Sequence, residues 1–474
     1  MKGRALFVVH DVYQDDNDFP LGVAYLASVL RNVGVDVQVF CQDVFHYPNS
    51  ALASLLETSK FDLIGVGFLA ARFRETVAPL CDVINRHKKD ALLVLGGHGP
   101  SPIPEYMLKN TQADIVVIGE AEETIVEIME GRDSRTALEG IEGIAYRQGD
   151  EVVVNPRRRP IRELDTIPFP AWELFPMDRY VNCSKYPGQT EMDKNLAIIS
   201  SRGCLGRCSF CYRMEKGIRW RSIENVVEEM KTLKTRYGVN YFCFQDELFL
   251  FKKSRLFEFE DALQKNSLHT KFFCDARADI FDEEMAECLK RIGCKYLNVG
   301  FESVDQKVLD AMHKGTTVEQ NYGLAEIAHE TGLALGLNFI WGSPCDTRDS
   351  LSRAVSFIRK FNSYASPRTI RPPTPYPGSP LYYEAIDRGL LNGPEEFFSR
   401  FRNSDLMAVN FTDMPDEECY RLLFAANKEL TMDHYAHTGG SMEEAARTVQ
   451  GFYDLYFRGK HDFRGARHYE SRSE

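Results

Sequence analysis

Short apolar runs and amphipathic stretches take turns along the first part of the chain. The runs Ala5–His10, Val35–Cys41, Asp62–Phe68, Ala91–Gly97 and Ala113–Glu120 predict strands. Between the first two, Leu21, Tyr25, Leu26, Val29 and Leu30 fall on one helical stripe, and Gly34 stops that helix. Strands alternating with helices predict a parallel sheet with helices on both faces, whose ligands lie beyond the carboxyl ends of the strands. Those ends carry His10-Asp11-Val12-Tyr13, Gly67-Phe68-Leu69, Leu95-Gly96-Gly97-His98-Gly99-Pro100 and Gly119-Glu120-Ala121-Glu122.

The pattern weakens over residues 136–189. Ile141–Arg147 and Glu151–Asn155 predict a small hairpin turning at Gly149-Asp150. Arg157-Arg158-Arg159 reads as a solvated strand end, and the proline-rich stretch from Leu164 to Trp172 as an extended linker. Alternation resumes over 190–385, with strands expected at Leu196–Ser200, Tyr241–Asp246, Lys271–Arg277, Tyr296–Glu302, Leu333–Gly342 and Thr369–Pro375. Ser222 is placed to cap a helix over Ile223–Tyr237, and Gly238 to end it. Six strand–helix units predict a partial (β/α)6 barrel. Residues 386–474 read as helices packing on its outside. The chain thus divides into 1–135, a linker at 136–189, a barrel at 190–385 and a helical region at 386–474.

Composition narrows the function. Of 474 residues, 44% are hydrophobic and 27% charged, ordinary for a globular protein, and no apolar run is long enough to span a membrane. The apolar start is too short for a signal peptide, so a cytoplasmic location is expected. A formal net charge of −12 argues against nucleic acid as partner. The basic stretch from Arg458 to Arg472 reads as a frayed tail. Twelve cysteines in a chain of this length make no disulfide scaffold. Cys243, Cys274 and Cys345 fall at strands or strand ends, so a second cluster is conceivable, although nothing groups them in sequence.

The chemistry concentrates in Cys204, Cys208 and Cys211, on a loop after the strand-like run ending at Ser200. Gaps of three and two residues let one short loop present three thiolates to three corners of an iron–sulfur cube. Four cysteines close such a cube; three leave one iron open to a small molecule. A structural zinc knuckle is the alternative, but zinc sites usually join two close cysteines to a distant pair.

The spacing C-x3-C-x2-C, with Phe210 before the third cysteine, resembles the radical S-adenosylmethionine (SAM) superfamily. The resemblance implies a 4Fe–4S cluster whose open iron chelates SAM, and a 5′-deoxyadenosyl radical released by cleavage of the sulfonium. It extends to Gln245-Asp246-Glu247, to Gly300-Phe301-Glu302-Ser303 with the run Val308–Gly315, to Gly336–Pro344, and to Pro375-Tyr376-Pro377-Gly378-Ser379-Pro380. Carried over, it places Asp246, Glu302 and Ser303 as acceptors for SAM, Arg277 at its carboxylate, and Phe210 and Gly342 near adenine. Trp341 and Tyr376 read equally well as pocket wall and as core.

Residues 1–135 are similar to the cobalamin-binding domain that precedes the barrel in one large radical SAM class, through Pro20–Ala27, Leu95-Gly96-Gly97-His98 and Val117-Ile118-Gly119-Glu120. Asp11, Val12, Gly67, Leu69, Gly96, Gly97, Gly119 and Glu120 become the expected cobalamin contacts, with His98 lining the tail channel. Two departures stand out. No Asp-x-His-x-x-Gly run supplies a histidine to cobalt, and Gly67-Phe68-Leu69 lacks a small hydroxyl residue common there. Together these matches imply methylation of an unactivated carbon of a small metabolite or natural-product intermediate, with a reductant such as flavodoxin or ferredoxin. Cyclisation, ring rearrangement or oxidation on the same architecture, with the domain cobalamin-bound or vestigial, is the alternative. A non-catalytic cobalamin- or cluster-binding module is the alternative outside enzymes. An RNA-modifying methylthiotransferase would need three further cysteines in the first domain, which has only Cys41 and Cys81, and a C-terminal β-domain.

Overall fold

The computed structural model describes residues 3–12, 17–70, 73–132, 135–183, 186–250, 252–401 and 403–459. Tyr13 and the basic tail beyond Gly459 lie outside the described residues. The chain forms two compact units, one of Met1–Ser184 with Tyr212–Arg221, the other of Lys185–Cys211 with Ser222–Phe463.

In the first unit, β1 (Arg4–Val9), β2 (Asp36–Cys41), β3 (Leu63–Gly67), β4 (Leu92–Gly96) and β5 (Ile115–Val117) are parallel. The order is β2-β1-β3-β4-β5, continued antiparallel by β6 (Ile144–Gln148) and β7 (Glu151–Val154). Ala5, Leu6, Phe7 and Val8 are all buried, as a central strand covered on both faces requires. Helices Leu21–Asn32 and Glu122–Gly131 pack together on one face; Asn49–Thr58, Ala78–His87 and Pro104–Thr111 pack on the other. The order reverses between β1 and β3, so a crevice opens at their carboxyl ends.

The hairpin expected at 136–189 forms as β6 and β7, but it extends this sheet. The proline-rich stretch is also no free linker. It folds into two short 3-10 turns, buries Leu164 and Trp172, and donates from Ala171 N–H to the Ala24 carbonyl at 3.0 Å. Arg158 is less solvated than expected, because it pairs with Glu123 and Glu127.

The second unit holds six parallel strands in simple sequence order: β8 (Asn195–Ile198), β9 (Tyr241–Phe244), β10 (Lys271–Ala276), β11 (Cys294–Glu302), β12 (Leu335–Ile340) and β13 (Ile370–Arg371). Sequential parallel strands joined by right-handed crossovers put every helix on one face and leave the other as a concave interior. The intervening helices contact each other in that order. Ser222 caps Ile223–Tyr237 through its hydroxyl, and Gly238 ends the helix at φ +72°. The last strand is shorter than expected. Its edge is sealed by Asn427, fully buried on helix Asp416–Thr438, which accepts from Ile370 N–H at 2.8 Å and donates to the Ile370 carbonyl at 3.0 Å. Helices Pro380–Asp387, Pro394–Arg400, Asp416–Thr438 and Met442–Phe457 form the C-terminal region. Among the described residues no helix is long and apolar enough to cross a membrane.

Candidate active site

Cys204 closes the short strand Ser201–Cys204, and the loop behind it is pinned at Ser209. There Ser209 N–H donates to the Met312 carbonyl at 2.8 Å, and its own carbonyl accepts from Leu381 N–H at 2.7 Å. Gly206 N–H donates to the Cys204 sulfur at 3.2 Å. A Cβ on Gly206 would lie 3.1 Å from Arg277 Nη1, 3.3 Å from Cys204 Sγ and 3.7 Å from Cys208 Sγ. Two of the three sulfurs and a guanidinium thus surround a cradle that any side chain would fill. The Cys211 thiol donates to Cys208 and lowers its pKa, Lys314 and Arg277 add to that, and burial and Glu302 oppose it. A thiolate poised in this way is the ligand iron needs. Among the described residues no three His, Cys, Asp or Glu side chains converge on a single ion. Cys243 and Cys274 are buried in adjacent strands and Cys345 is exposed.

The residue facing this loop from β11 is built by a local distortion. The register against β12 shifts between Gly300 and Glu302, and Glu302 takes φ +63°, a left-handed conformation rare outside glycine. Its carboxylate folds back over Gly300, where a Cβ would sit 2.3 Å from Oε1. Lys314 Nζ donates to that oxygen at 3.0 Å. Burial works against the Lys314 charge, yet Glu302 and Cys208 keep its pKa above the ordinary lysine value. Ser303 is buried beside Glu302, and Asn321 Nδ2 fixes the turn by donating to the carbonyls of Ser303 (2.9 Å) and Phe301 (3.2 Å).

The other expected SAM contacts have visible partners. Asp246, at the end of β9, accepts from the N–H groups of Ser200 (2.6 Å) and Ser201 (3.2 Å), so it ties down the strand end from which the cysteine loop starts. Arg277 binds Asp279 through two nitrogens at 3.0 and 3.1 Å and the Lys314 carbonyl at 3.1 Å. Gly342, at φ +110°, donates to Asp346 at 3.0 Å in the loop after β12. Phe210 is half-buried next to the pinned Ser209. Trp341 is core, with its indole N–H on the Thr347 carbonyl at 2.9 Å, and Tyr376 packs edge-on against Phe397 and Phe401. In the sequence Lys314 is one residue of the run Val308–Gly315 with nothing to single it out, and Gly206 carries no signal but its size. The backbone anchors of Ser209 carry no sequence signal.

In the first unit the expected cobalamin contacts separate into two groups. Asp11, Val12, Gly67, Leu69, Gly96 and Gly97 gather at the crevice ends of β1, β3 and β4. Gly67 and Gly96 are register partners; a Cβ on Gly96 would meet nothing within 4 Å, and one on Gly67 only the Gly96 carbonyl at 3.9 Å. Bare backbone therefore lines a slot that two side chains would obstruct, and Leu69 beside it is 64% exposed. Such a slot fits the nucleotide tail of cobalamin. Asp11 is turned toward His46 at 2.8 Å. Burial lowers His10 to about 4 and also lowers His98. Gly119 and Glu120 form the second group and are covered by the chain itself. A Cβ on Gly119 would lie 2.7 Å from Glu215, while Glu120 accepts from Ile161 N–H and Arg219, each at 2.8 Å.

Residues 198–358 match the radical SAM superfamily, and residues 16–129 match the B12 binding domain. An uncharacterized methyltransferase of Pyrococcus horikoshii is 31% identical over 78% of this chain and 79% of its own. An anaerobic magnesium-protoporphyrin IX monomethyl ester cyclase of Rubrivivax gelatinosus is 27% identical over 78% and 66%. A Methanocaldococcus jannaschii protein provisionally named a methylthiotransferase is 33% identical over 72% of each chain. Among solved structures, the radical SAM methyltransferase TsrM of Kitasatospora setae, with cobalamin and a [4Fe–4S] cluster bound, superposes with a TM-score of 0.64 at 19% identity, covering 82% of this chain and 75% of that one; it shares the fold. The chain belongs to the radical SAM superfamily, in the class whose barrel follows a B12 binding domain. It is a radical SAM enzyme, and its cofactors are a 4Fe–4S cluster, SAM and cobalamin.

Proposed function

We propose that this enzyme transfers a methyl group from SAM to an unactivated carbon of a small metabolite or natural-product intermediate. When bound, the cluster and SAM supply a hydrogen-abstracting radical, and cobalamin carries the methyl group. Cys204, Cys208 and Cys211 hold the cluster by three corners, leaving SAM the fourth. Lys314 and Arg277 place positive charge beside those sulfurs and favour their ionised form. Glu302 and Ser303 offer acceptors to SAM's ammonium and ribose hydroxyls, and Arg277 offers its cation to the carboxylate. Phe210 and the backbone at Gly342 bound the adenine. Asp246 acts through Ser200 and Ser201, as a positioning residue. The crevice group from Asp11 to Gly97 receives cobalamin, and a flavodoxin or ferredoxin supplies the electron. A reducing, cytoplasmic setting is the one that would keep the three cluster cysteines as thiolates.

The observation that carries the reading is the Gly206 cradle between paired sulfurs and a cation, on a chain that also holds an open glycine slot for cobalamin. The name of the Pyrococcus relative supports methylation. That of the Rubrivivax cyclase keeps ring formation as a second reading. The methylthiotransferase reading gains little support: Cys41 and Cys81 are buried on β2 and on helix Ala78–His87, and the described C-terminal residues form helices. The test is turnover of the reconstituted enzyme with trideuteromethyl-SAM, reductant and a small-molecule extract. S-adenosylhomocysteine, 5′-deoxyadenosine and a deuteromethylated product are expected together. Deoxyadenosine with no labelled product would contradict methylation.

A further inference from the structure

Three polar side chains cross the concave face of the barrel as a directed row. Asp275 on β10 and Asn298 on β11 are register partners, as are Gly300 on β11 and Asn338 on β12. Asn298 Nδ2 donates to Asp275 Oδ1 at 2.7 Å, and Asn338 Nδ2 donates to Asn298 Oδ1 at 2.8 Å. All three are half-buried, in strands whose alternate residues are fully buried against the helices. Gly336 makes the row possible, because a Cβ there would lie 2.4 Å from Asn298 Oδ1.

The chemistry fixes the direction. An ionised carboxylate only accepts, so Asn298 must turn its amide nitrogen to Asp275 and its oxygen to Asn338. Among the described residues the row therefore ends in two acceptors without a side-chain donor, Asp275 Oδ2 and Asn338 Oδ1, and no cation pairs with Asp275. Lys271 pairs with Asp193, Arg277 with Asp279, and Arg368 donates to Tyr296 and Ser366. Among the described residues the Asp275 side chain has one neutral partner, Asn298, and burial raises its pKa to about 6, with the Asp246 charge adding to the shift. A carboxyl withdrawn from water with no cation is costly, and a bound cation would relieve it.

We propose that Asp275, Asn298 and Asn338 form the specificity wall of the barrel and select a substrate that carries an ammonium group. The inference deepens the methyl-transfer reading and rests on it only in calling the ligand a substrate. Asp275 would take the ammonium, and Asn338 Oδ1 would accept from a separate donor of the same substrate.

The test uses the reconstituted holoenzyme saturated with SAM, so that SAM's own ammonium cannot be displaced unnoticed. Binding of n-butylammonium, n-butanol and butyrate is measured by saturation-transfer NMR. The ammonium is expected to bind at least tenfold tighter than the alcohol, with butyrate weakest, and this preference should vanish in Asp275→Asn. Should that variant fail to assemble its cluster, Asp275→Ser carries the test, with the ammonium falling to the affinity of the alcohol and the alcohol unchanged. Equal binding of ammonium and alcohol to the wild type would overturn the proposal, as would a preference that survives Asp275→Asn or, where that variant does not assemble, Asp275→Ser. An enzyme that prefers the ammonium yet never transfers methyl would refute the proposed reaction and leave this wall standing.

Discussion

At Gly206 the space between two sulfurs and a guanidinium is so close that the smallest residue is needed. Gly206→Val should cut bound iron after reconstitution by more than half while leaving the thermal midpoint within a few degrees, as iron assay and calorimetry would show. The cysteines themselves are legible because their geometry is local, set by a spacing of a few residues. Lys314 was not, since its meaning depends on a turn after β11 that carries it back to Glu302. A second residue-scale consequence concerns Asp43, whose burial lifts its pKa from 3.8 to about 7 although Tyr180 donates to both its oxygens at 3.0 and 2.8 Å. The unfolded carboxyl releases its proton near 3.8, and the folded one holds it to about 7. The favourable contribution is thus full below about pH 4 and declines as pH rises to 7. Asp43→Asn removes that decline. Relative to wild type, the variant should gain up to about 4 kcal/mol between pH 4 and pH 7.5 in urea titrations.

Among elements, the strand–helix alternation of both units could be read directly, because each run carries its own period. What could not be read is where a strand pairs. The hairpin at Ile144–Val154 looked like part of a linker, yet it joins β5 because β5 would otherwise be a bare edge. β13 meets the same need through a single side chain from a helix more than fifty residues on. Asn427→Leu keeps the volume and strands the Ile370 N–H and carbonyl. A loss of about 3 kcal/mol is expected, given the cost of buried groups left without partners. Circular-dichroism melting should show a lower midpoint with native helix content at low temperature; an unchanged midpoint would mean another group seals that edge.

In the whole molecule the two compact units do not follow the chain as unbroken segments. Tyr212–Arg221 follows the third cysteine directly yet belongs to the first compact unit, through contacts such as Arg219 with Glu120. No local pattern announces that, since the ion pair joins residues ninety-nine apart. The fold and the cofactors were nonetheless readable, because each cofactor leaves a short local mark: three cysteines for the cluster, strand-end glycines for cobalamin. The central claim is that three protein sulfurs hold a cubane whose fourth iron is free for SAM. It is tested most directly by electron paramagnetic resonance of the anaerobically reconstituted, dithionite-reduced protein, with and without SAM. A [4Fe–4S] signal whose g-values shift on adding SAM, and which fails to form normally in Cys204→Ala, is the predicted result. Zinc in place of iron, or a cluster signal indifferent to SAM, would contradict it.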